Sequence, residues 1–396
     1  MNLKYYIIVL LGLLFVSPVS NAQSVQLSDS AQISLLTNGP WDKVIYAVFG
    51  HTAIRVRDDV NRIDYAFNYG LFNYSSSNFI YRFVKGETDY VVGAVPFIYY
   101  LEEYNERGVT TIEQILNLDQ SEKQKVWDAL VINSLPENRM YRYNYFFDNC
   151  STRPRDIVEN SVEGTITYQP TNKEQTFRDL IGEFLAPSPW MKFGIDLVIG
   201  SGADRDATDR EKMFLPIYLK DAYNGAVIKD KDRLERRLVA REQILNEGSA
   251  PGKAFPVTPM ISGCLLLAIT IVLSFLNFRN KGRIAGRIFD TILFLIAGLA
   301  GCVIAFLFFF SEHPCVDSNW NIIWLNPIQL LAAILIFVKF FSKYIYWYHF
   351  INFALLSLFI LCWWLIPQQL ELAFIPFILS LCLRSGTNFV TLRRKN

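Results

Sequence analysis

"YAVFGHTAIRVRDDVNRIDYAFNYGLFNY" (residues 46–74) holds two runs rich in β-branched and aromatic residues, separated by the polar stretch Asp58-Asp59-Val60-Asn61. That pattern predicts a β-hairpin. With Val56 opposite Ile63, Ile54 faces Tyr65 and Thr52 faces Phe67, which makes one face mostly apolar. The other face then pairs Arg55 with Asp64, Ala53 with Ala66, and His51 with Asn68. The cross-strand ion pair and the clean apolar face support this register. A slip of one residue would put Tyr69 beside His51 in place of Asn68.

His51 is the only histidine in the first 312 residues, and "FDNCSTRPRD" (147–156) holds the only cysteine before residue 264. The run "YRYNYFF" alternates like a strand and leads straight into Cys150, while "PRDIVENSV" after it has helical composition, with Pro154 tolerated in a first turn. A thiol delivered to a helix start sits where the dipole favours negative charge, which lowers its pKa and makes it a nucleophile. Such a nucleophile needs a base, and His51 is the candidate, with Asn68 holding the second imidazole nitrogen as a Cys-His-Asn arrangement requires. Arg153 and Arg155, one turn further on, are candidates to hold a substrate phosphate or else solvated helix charges, and Tyr69 is a third candidate for substrate contact. The competing readings are an inert buried cysteine and a disulfide to Cys315. One cysteine and one histidine fall short of a metal-ligand set.

The rest of the chain decides which compartment that thiol meets. Residues 1–22, "MNLKYYIIVLLGLLFVSPVSNA", place a lysine before a short apolar run and a small-residue stop, the layout of a cleavable signal peptide. The 38 basic and 37 acidic residues leave a net charge of +1, which gives no basis for a nucleic-acid partner. Uncharged runs occupy 254–278, 291–310, 318–338 and 344–370, with a weaker one at 372–383 that spans only by recruiting its flanks. Arg279, Lys281, Arg283 and Arg287 follow the first run, Lys339 and Lys343 the third, and Arg393, Arg394 and Lys395 the last. The alternate loops "SEHPCVDSNW" and "PQQLE" hold neither Lys nor Arg. Five spans with residues 23–253 outside satisfy the positive-inside rule at every loop. The expected organisation is therefore signal peptide (1–22), periplasmic α+β domain (23–253) and an all-α transmembrane domain of about five helices (254–396) in the inner membrane. Within the exported part, "TIEQILNLDQSEKQKVWDALVINSL" reads as two helices, the second starting at a Ser121 cap. "DRLERRLVAREQIL" reads as a charged helix, and "PWMKFGIDLVIG" as core or a surface element against the bilayer.

"LLTNGPWDKVIYAVFGHTAIRV", "NYGLFNY", "FVKGETDYVVG", "YRYNYFFDNCSTRPRDIV", "MFLP" and "NWNIIWLNP" occur in an order that resembles the Lnb family of Bacteroidota lipoprotein N-acyltransferases. The histidine strands precede the cysteine, which is similar to the circularly permuted, NlpC-type version of the papain-like fold. The resemblance implies a phospholipid acyl donor, a diacylglyceryl lipoprotein as acceptor and a membrane setting. It implies Cys150 as the nucleophile that forms a thioester and His51 as base, with amides of the helix start after Asn149 as oxyanion donors and no cofactor. At Asn38 many relatives are expected to have cysteine. A phospholipase, or a peptidoglycan amidase or endopeptidase, would use the same dyad.

Overall fold

The computed structural model describes residues 25–72, 77–230, 234–249, 256–335 and 337–393. The expected signal peptide and the expected boundary at 253 lie outside them. Strands β1 (Gln32–Asn38), β2 (His51–Asp58), β3 (Ile63–Leu71), β4 (Asp89–Pro96), β5 (Thr111–Leu116), β6 (Met140–Arg142) and β10 (Val239–Asn246) form an antiparallel sheet in the order β10-β5-β1-β2-β3-β4-β6. Strands β7 (Thr165–Thr167), β8 (Val227–Lys229) and β9 (Glu235–Arg237) form a second, small sheet. Helices α1 (Phe79–Lys85) and α2 (Phe97–Arg107) flank β4, and α3 (Gln120–Ser134) and α4 (Thr152–Ser161) pack on each other. The helices α5 (Phe177–Leu185), α6 (Pro189–Val198), α7 (Asp209–Lys212) and α8 (Pro216–Gly225) follow.

The hairpin exists, but its register is shifted by two residues from the expected one: Val56 pairs with Tyr65, Ile54 with Phe67 and Ala53 with Asn68. The cause is the turn. The Asp58 carboxylate accepts from Ser28, Val60 and Asn61, so β2 runs on to Asp58, which pairs with Ile63 and moves the loop to residues 59–62. Burial opposes that charge, yet these hydrogen bonds hold the carboxyl down at about 2. Because side chains alternate, a two-residue shift leaves each on its expected face. Ile54, Val56 and Phe67 enter one core with Ile33 and Leu35, while Ala53 and Ala66 meet Phe97, Tyr100 and Tyr104 of α2 on the other side. Arg55 still reaches Asp64, at 2.7 Å, as a diagonal neighbour rather than a direct one.

Four expected elements are corrected. "TIEQIL" is strand β5 instead of a helix, paired on both edges by β1 and β10. The helix after it starts one cap earlier than expected: Asp119, not Ser121, makes a reciprocal capping box with Glu122. The charged run expected as a helix forms β9 and β10, because Gln243 donates to Glu113 and Gln114 donates to Glu242 across the sheet, and tertiary pairing outweighs helical composition. "YRYNYFF" is a strand only through Arg142, where pairing with β4 ends.

Among the described residues, four helices are long and apolar enough to cross a membrane: α9 (Pro259–Phe278), α10 (Arg283–Phe310), α12 (Ser342–Leu361) and the segment Leu372–Arg393, which contains α13 (Ile375–Arg393). The expected span at 318–338 is instead an apolar element of sub-membrane length, a 3-10 turn at Trp320–Ile323 followed by α11 (Ile328–Leu335) between α10 and α12. It lies tightly on α10, where a Cβ at Gly298 would come 2.3 Å from Leu330 N. The weakest expected run becomes a full-length helix by recruiting its C-terminal flank, Arg384 included, against Asp290.

The domains are bound to each other at several points. The loop after α10 is fixed to α1: Ser311 Oγ donates to Val84 O at 2.9 Å and Glu312 N to Lys85 O at 2.7 Å. On α6, the segment expected as core or bilayer-facing surface, Trp190 Nε1 donates to Val257 O at 2.7 Å, Lys192 pairs with Glu371, and Phe193 packs on Phe374 and Phe377. Helix α6 is therefore the seat of the exported domain on the helix bundle.

Candidate functional site

Asn149 builds the turn that presents Cys150. Its Oδ1 accepts from the backbone N–H groups of Ser151 and Thr152 at 2.8 and 3.0 Å, and its Nδ2 donates to the carbonyls of Tyr145 and Phe214 at 2.7 and 2.9 Å. Those bonds cap the first turn of α4 and leave the thiol on the residue before the Ser151 N-cap. Opposite it lies Gly70 of β3, at φ +98°, where a Cβ would stand 3.9 Å from Cys150 Cβ. A side chain there would be strained and would crowd the thiol.

His51 is the first residue of β2. Its Nε2 lies 2.5 Å from Asn68 Oδ1, so Nε2–H donates to the amide and Nδ1 is left for the sulfur. Asn68 is the diagonal neighbour of His51, not the direct partner that the expected register gave it, because two residues of shift preserve the face. The Tyr104 ring stacks on the imidazole at 6.4 Å between centroids. His51, the Thr52 backbone amide and the Ser151 hydroxyl each favour a negative charge on the Cys150 sulfur. Burial opposes charge on both partners, but each outweighs it for the other. The cysteine is drawn below the ordinary thiol value and the histidine above the ordinary imidazole value, the latter helped by Asn68. The pair is therefore biased toward thiolate and imidazolium.

The two other cysteine-bearing possibilities separate here. Cys150 and Cys315 are both free thiols, and burial together with Asp317 pushes the Cys315 thiol up, the opposite direction to Cys150. Asn38 pairs with His51 across β1 and β2, and its side chain is held by Tyr100 and Thr111. Among the described residues, no group of three His, Cys, Asp or Glu side chains is placed to hold a metal.

The arginines expected at a substrate phosphate are directed elsewhere. Arg153 makes a two-pronged ion pair with Asp148, at 2.6 and 2.8 Å, and lies 3.6 Å over the Tyr141 ring. Arg155 is buried, bonded to Asp156 and to Arg210 O. A helix-start position put both guanidiniums within reach of carboxylates of the protein itself, and both are spent on packing α4. Tyr69 faces away from Asn68 into the core, where Asn133 Nδ2 donates to its hydroxyl at 2.9 Å. Its ring edge reaches the wall of the cavity described next.

Cys150 and His51 open on a cavity of about 360 Å³. Its lining includes Tyr143, Tyr145, Phe49 and Phe214, Ile195 and Val198 of α6, and Phe83 and His313. Part of the wall thus comes from the element seated on the helix bundle and from the loop after α10. A mostly apolar cavity lined both by a nucleophile and by a helix seated on the membrane-domain bundle suits a hydrocarbon chain. The aromatic residues of "YRYNYFF" that line it escaped the sequence reading, since alternation there resembled an ordinary strand, and the only signal was tyrosine density beside the cysteine.

The fold and site define a membrane protein that carries a paired thiol and imidazole on an exported α+β domain. The family model of the Lnb N-terminal periplasmic domain matches residues 21–182, and that of the Lnb transmembrane domain matches residues 251–396. Between them they cover most of the chain, which belongs to the Lnb family. It is a multi-pass inner-membrane protein with a periplasmic domain, from a family of lipoprotein-processing membrane enzymes. No curated protein and no solved structure matches it.

Proposed function

We propose that this chain is a lipoprotein N-acyltransferase that passes an acyl chain from a membrane phospholipid, through a thioester on Cys150, to the N-terminal amine of a diacylglyceryl lipoprotein. The observation that carries this reading is the polarised Cys150–His51 pair, with Asn68 behind it, in the wall of a mostly apolar cavity that residues of α6 also line. Placing the histidine strand and the asparagine strand before the cysteine helix also suits a permuted papain-like domain. Five crossings are proposed, four by the long helices and a fifth that would need the short element Trp320–Leu335 together with its flanks.

In the first half-reaction the Cys150 thiolate attacks the phospholipid ester carbonyl. The carbon–oxygen bond to the glycerol then breaks, and the departing alkoxide takes the proton of the His51 imidazolium, releasing a lysophospholipid. In the second, the lipoprotein amine attacks the thioester, neutral His51 takes the proton of that amine, and the thiolate leaves. Asn68 keeps Nδ1 aimed at the sulfur throughout.

Phospholipid alone should leave the protein heavier by one acyl chain, in an adduct cleaved by neutral hydroxylamine, and lipoprotein should discharge it. Mass spectrometry of the intact protein and of lipoprotein N-termini reads both steps. Free fatty acid with no acylated lipoprotein would make the protein a phospholipase; lipoprotein acylation by Cys150→Ala at the normal rate would rule the reading out.

A further inference from the structure

The thiolate is accounted for above, but its product, the oxyanion of a tetrahedral intermediate, also needs hydrogen-bond donors. The amides of the helix start are the natural choice, yet Asn149 Oδ1 already occupies Ser151 N and Thr152 N, and Arg153 N is committed to Asn149 O. The Thr52 amide is turned to the sulfur. Among the described residues, only the N–H of Cys150 itself remains without an acceptor at this turn. A single amide is half of what such a site needs, and the second donor has to come from a side chain in the cavity.

Tyr145 meets that requirement. Its ring is fixed edge-on by Phe49, Phe146 and Phe214, with centroids 5.1, 5.1 and 5.6 Å away. Its backbone carbonyl is fixed by the same Asn149 that positions the thiol. Its hydroxyl is buried and makes no hydrogen bond with any described residue, although the residue lines the Cys150 cavity. Leaving a buried hydroxyl unpaired is destabilising, so an orphan at a reaction centre calls for a transient acceptor. Burial and the nearby cysteine charge push the Tyr145 phenol well up, so it remains a donor throughout the reaction.

We infer that the Tyr145 hydroxyl, together with the Cys150 backbone N–H, donates to the acyl oxygen as it becomes an oxyanion on the way into and out of the thioester. This rests on the acyl-enzyme reading above. No proton is transferred: the carbonyl π bond opens onto oxygen as the sulfur–carbon bond forms, and re-forms as the alkoxide or thiolate leaves. Tyr145 is a catalytic residue in this assignment, since it touches the reacting oxygen.

Tyr145→Phe removes only the hydroxyl. Single-turnover lysophospholipid release should slow roughly 100- to 1000-fold, the usual effect of losing one oxyanion donor. The phospholipid KM should change less than about threefold, because the donor acts in the transition state and not in binding. Thermal stability of the detergent-solubilised protein should not fall, since the lost group had no partner. Alkylation of Cys150 by iodoacetamide, which develops no oxyanion, should proceed at the wild-type rate. Tyr141→Phe is the control, because its hydroxyl is likewise buried and unpaired but its ring lies beneath Arg153, outside the cavity lining; it should release lysophospholipid normally. The inference is overturned if Tyr145→Phe acylates within about threefold of wild type while Cys150→Ala is inactive, a result that leaves the thioester reading standing. It is also overturned if alkylation slows in parallel with acylation, which would make Tyr145 a support of the thiol. Normal lysophospholipid release by Cys150→Ala would instead remove the reading beneath it.

Discussion

A charge pair in the helix bundle and the reactive pair of the periplasmic domain are finished differently. In the helix bundle Arg384 is fully enclosed and donates to both Asp290 oxygens, at 2.5 and 2.8 Å, to Ser274 at 3.1 Å and to Asn277 at 2.9 Å; Asn388 adds a bond to Asp290 at 2.9 Å. In the periplasmic domain the Cys150–His51 pair has Asn68 behind the ring and Thr52 and Ser151 beside the sulfur, but opens on a cavity. A saturated ion pair in an apolar interior has nothing left to offer a substrate and acts as an internal staple. A pair whose partners stop short of one side retains its reactivity. The difference between structure and chemistry lies in how completely the charges are satisfied.

The sharpest way to break this comparison is at the thiol. Cys150→Ala should abolish the hydroxylamine-sensitive adduct and lower lipoprotein acylation by about a thousandfold or more, near 4 kcal/mol in the barrier, while the melting temperature changes little. If the staple reading is right, Arg384→Met should do the reverse: about 3–5 kcal/mol of stability lost, because Asp290 is left charged and unpaired. The double variant Arg384→Met with Asp290→Asn should recover much of that loss in denaturation of the solubilised protein. A double variant no better than the single would mean that the polar partners, and not the charge, set the cost.

A finer test concerns Asn68. Asn68→Ala should reduce kcat by roughly 10- to 100-fold, about 1.4–2.7 kcal/mol, with the fold intact by circular dichroism. It also carries a pH signature. Because Cys150 is lowered and His51 raised, kcat/KM should rise as pH climbs past a thiol titrating below its ordinary range, then fall as the imidazolium is lost above its ordinary 6.5. Asn68 raises His51, so removing it should draw the alkaline limb to lower pH. An unmoved alkaline limb would show that Asn68 does not act through the imidazole. The smallest effect belongs to Cys315→Ser. A thiol held up by burial and packed at Gly202 has no part in the chemistry, and acylation should stay within about twofold.

From residue order and pattern alone came the exported-then-membrane layout, the hairpin, the faces on which His51 and Asn68 lie, and the start of a helix just after Cys150. These are local or two-fold periodic properties, and alternation survives a register error of an even number of residues. That is why the Asp58 turn could shift β2 against β3 by two without separating His51 from Asn68. Tertiary structure decided the rest. Whether "TIEQIL" and "DRLERRLVAREQIL" became strands depended on partners more than a hundred residues away, since β5 and β10 complete each other. Whether Arg153 and Arg155 faced a ligand depended on Asp148 and Asp156 standing within reach. The helix Ile375–Arg393 can bury Arg384 only because α10 supplies Asp290. The cavity exists because α6 and the loop after α10 close over the thiol, and Asn149 uses the amides that would otherwise serve the reaction. Composition records what a side chain is able to bond. Which bond it makes is settled by competition among all groups within about 3 Å, and only the folded chain brings those competitors together.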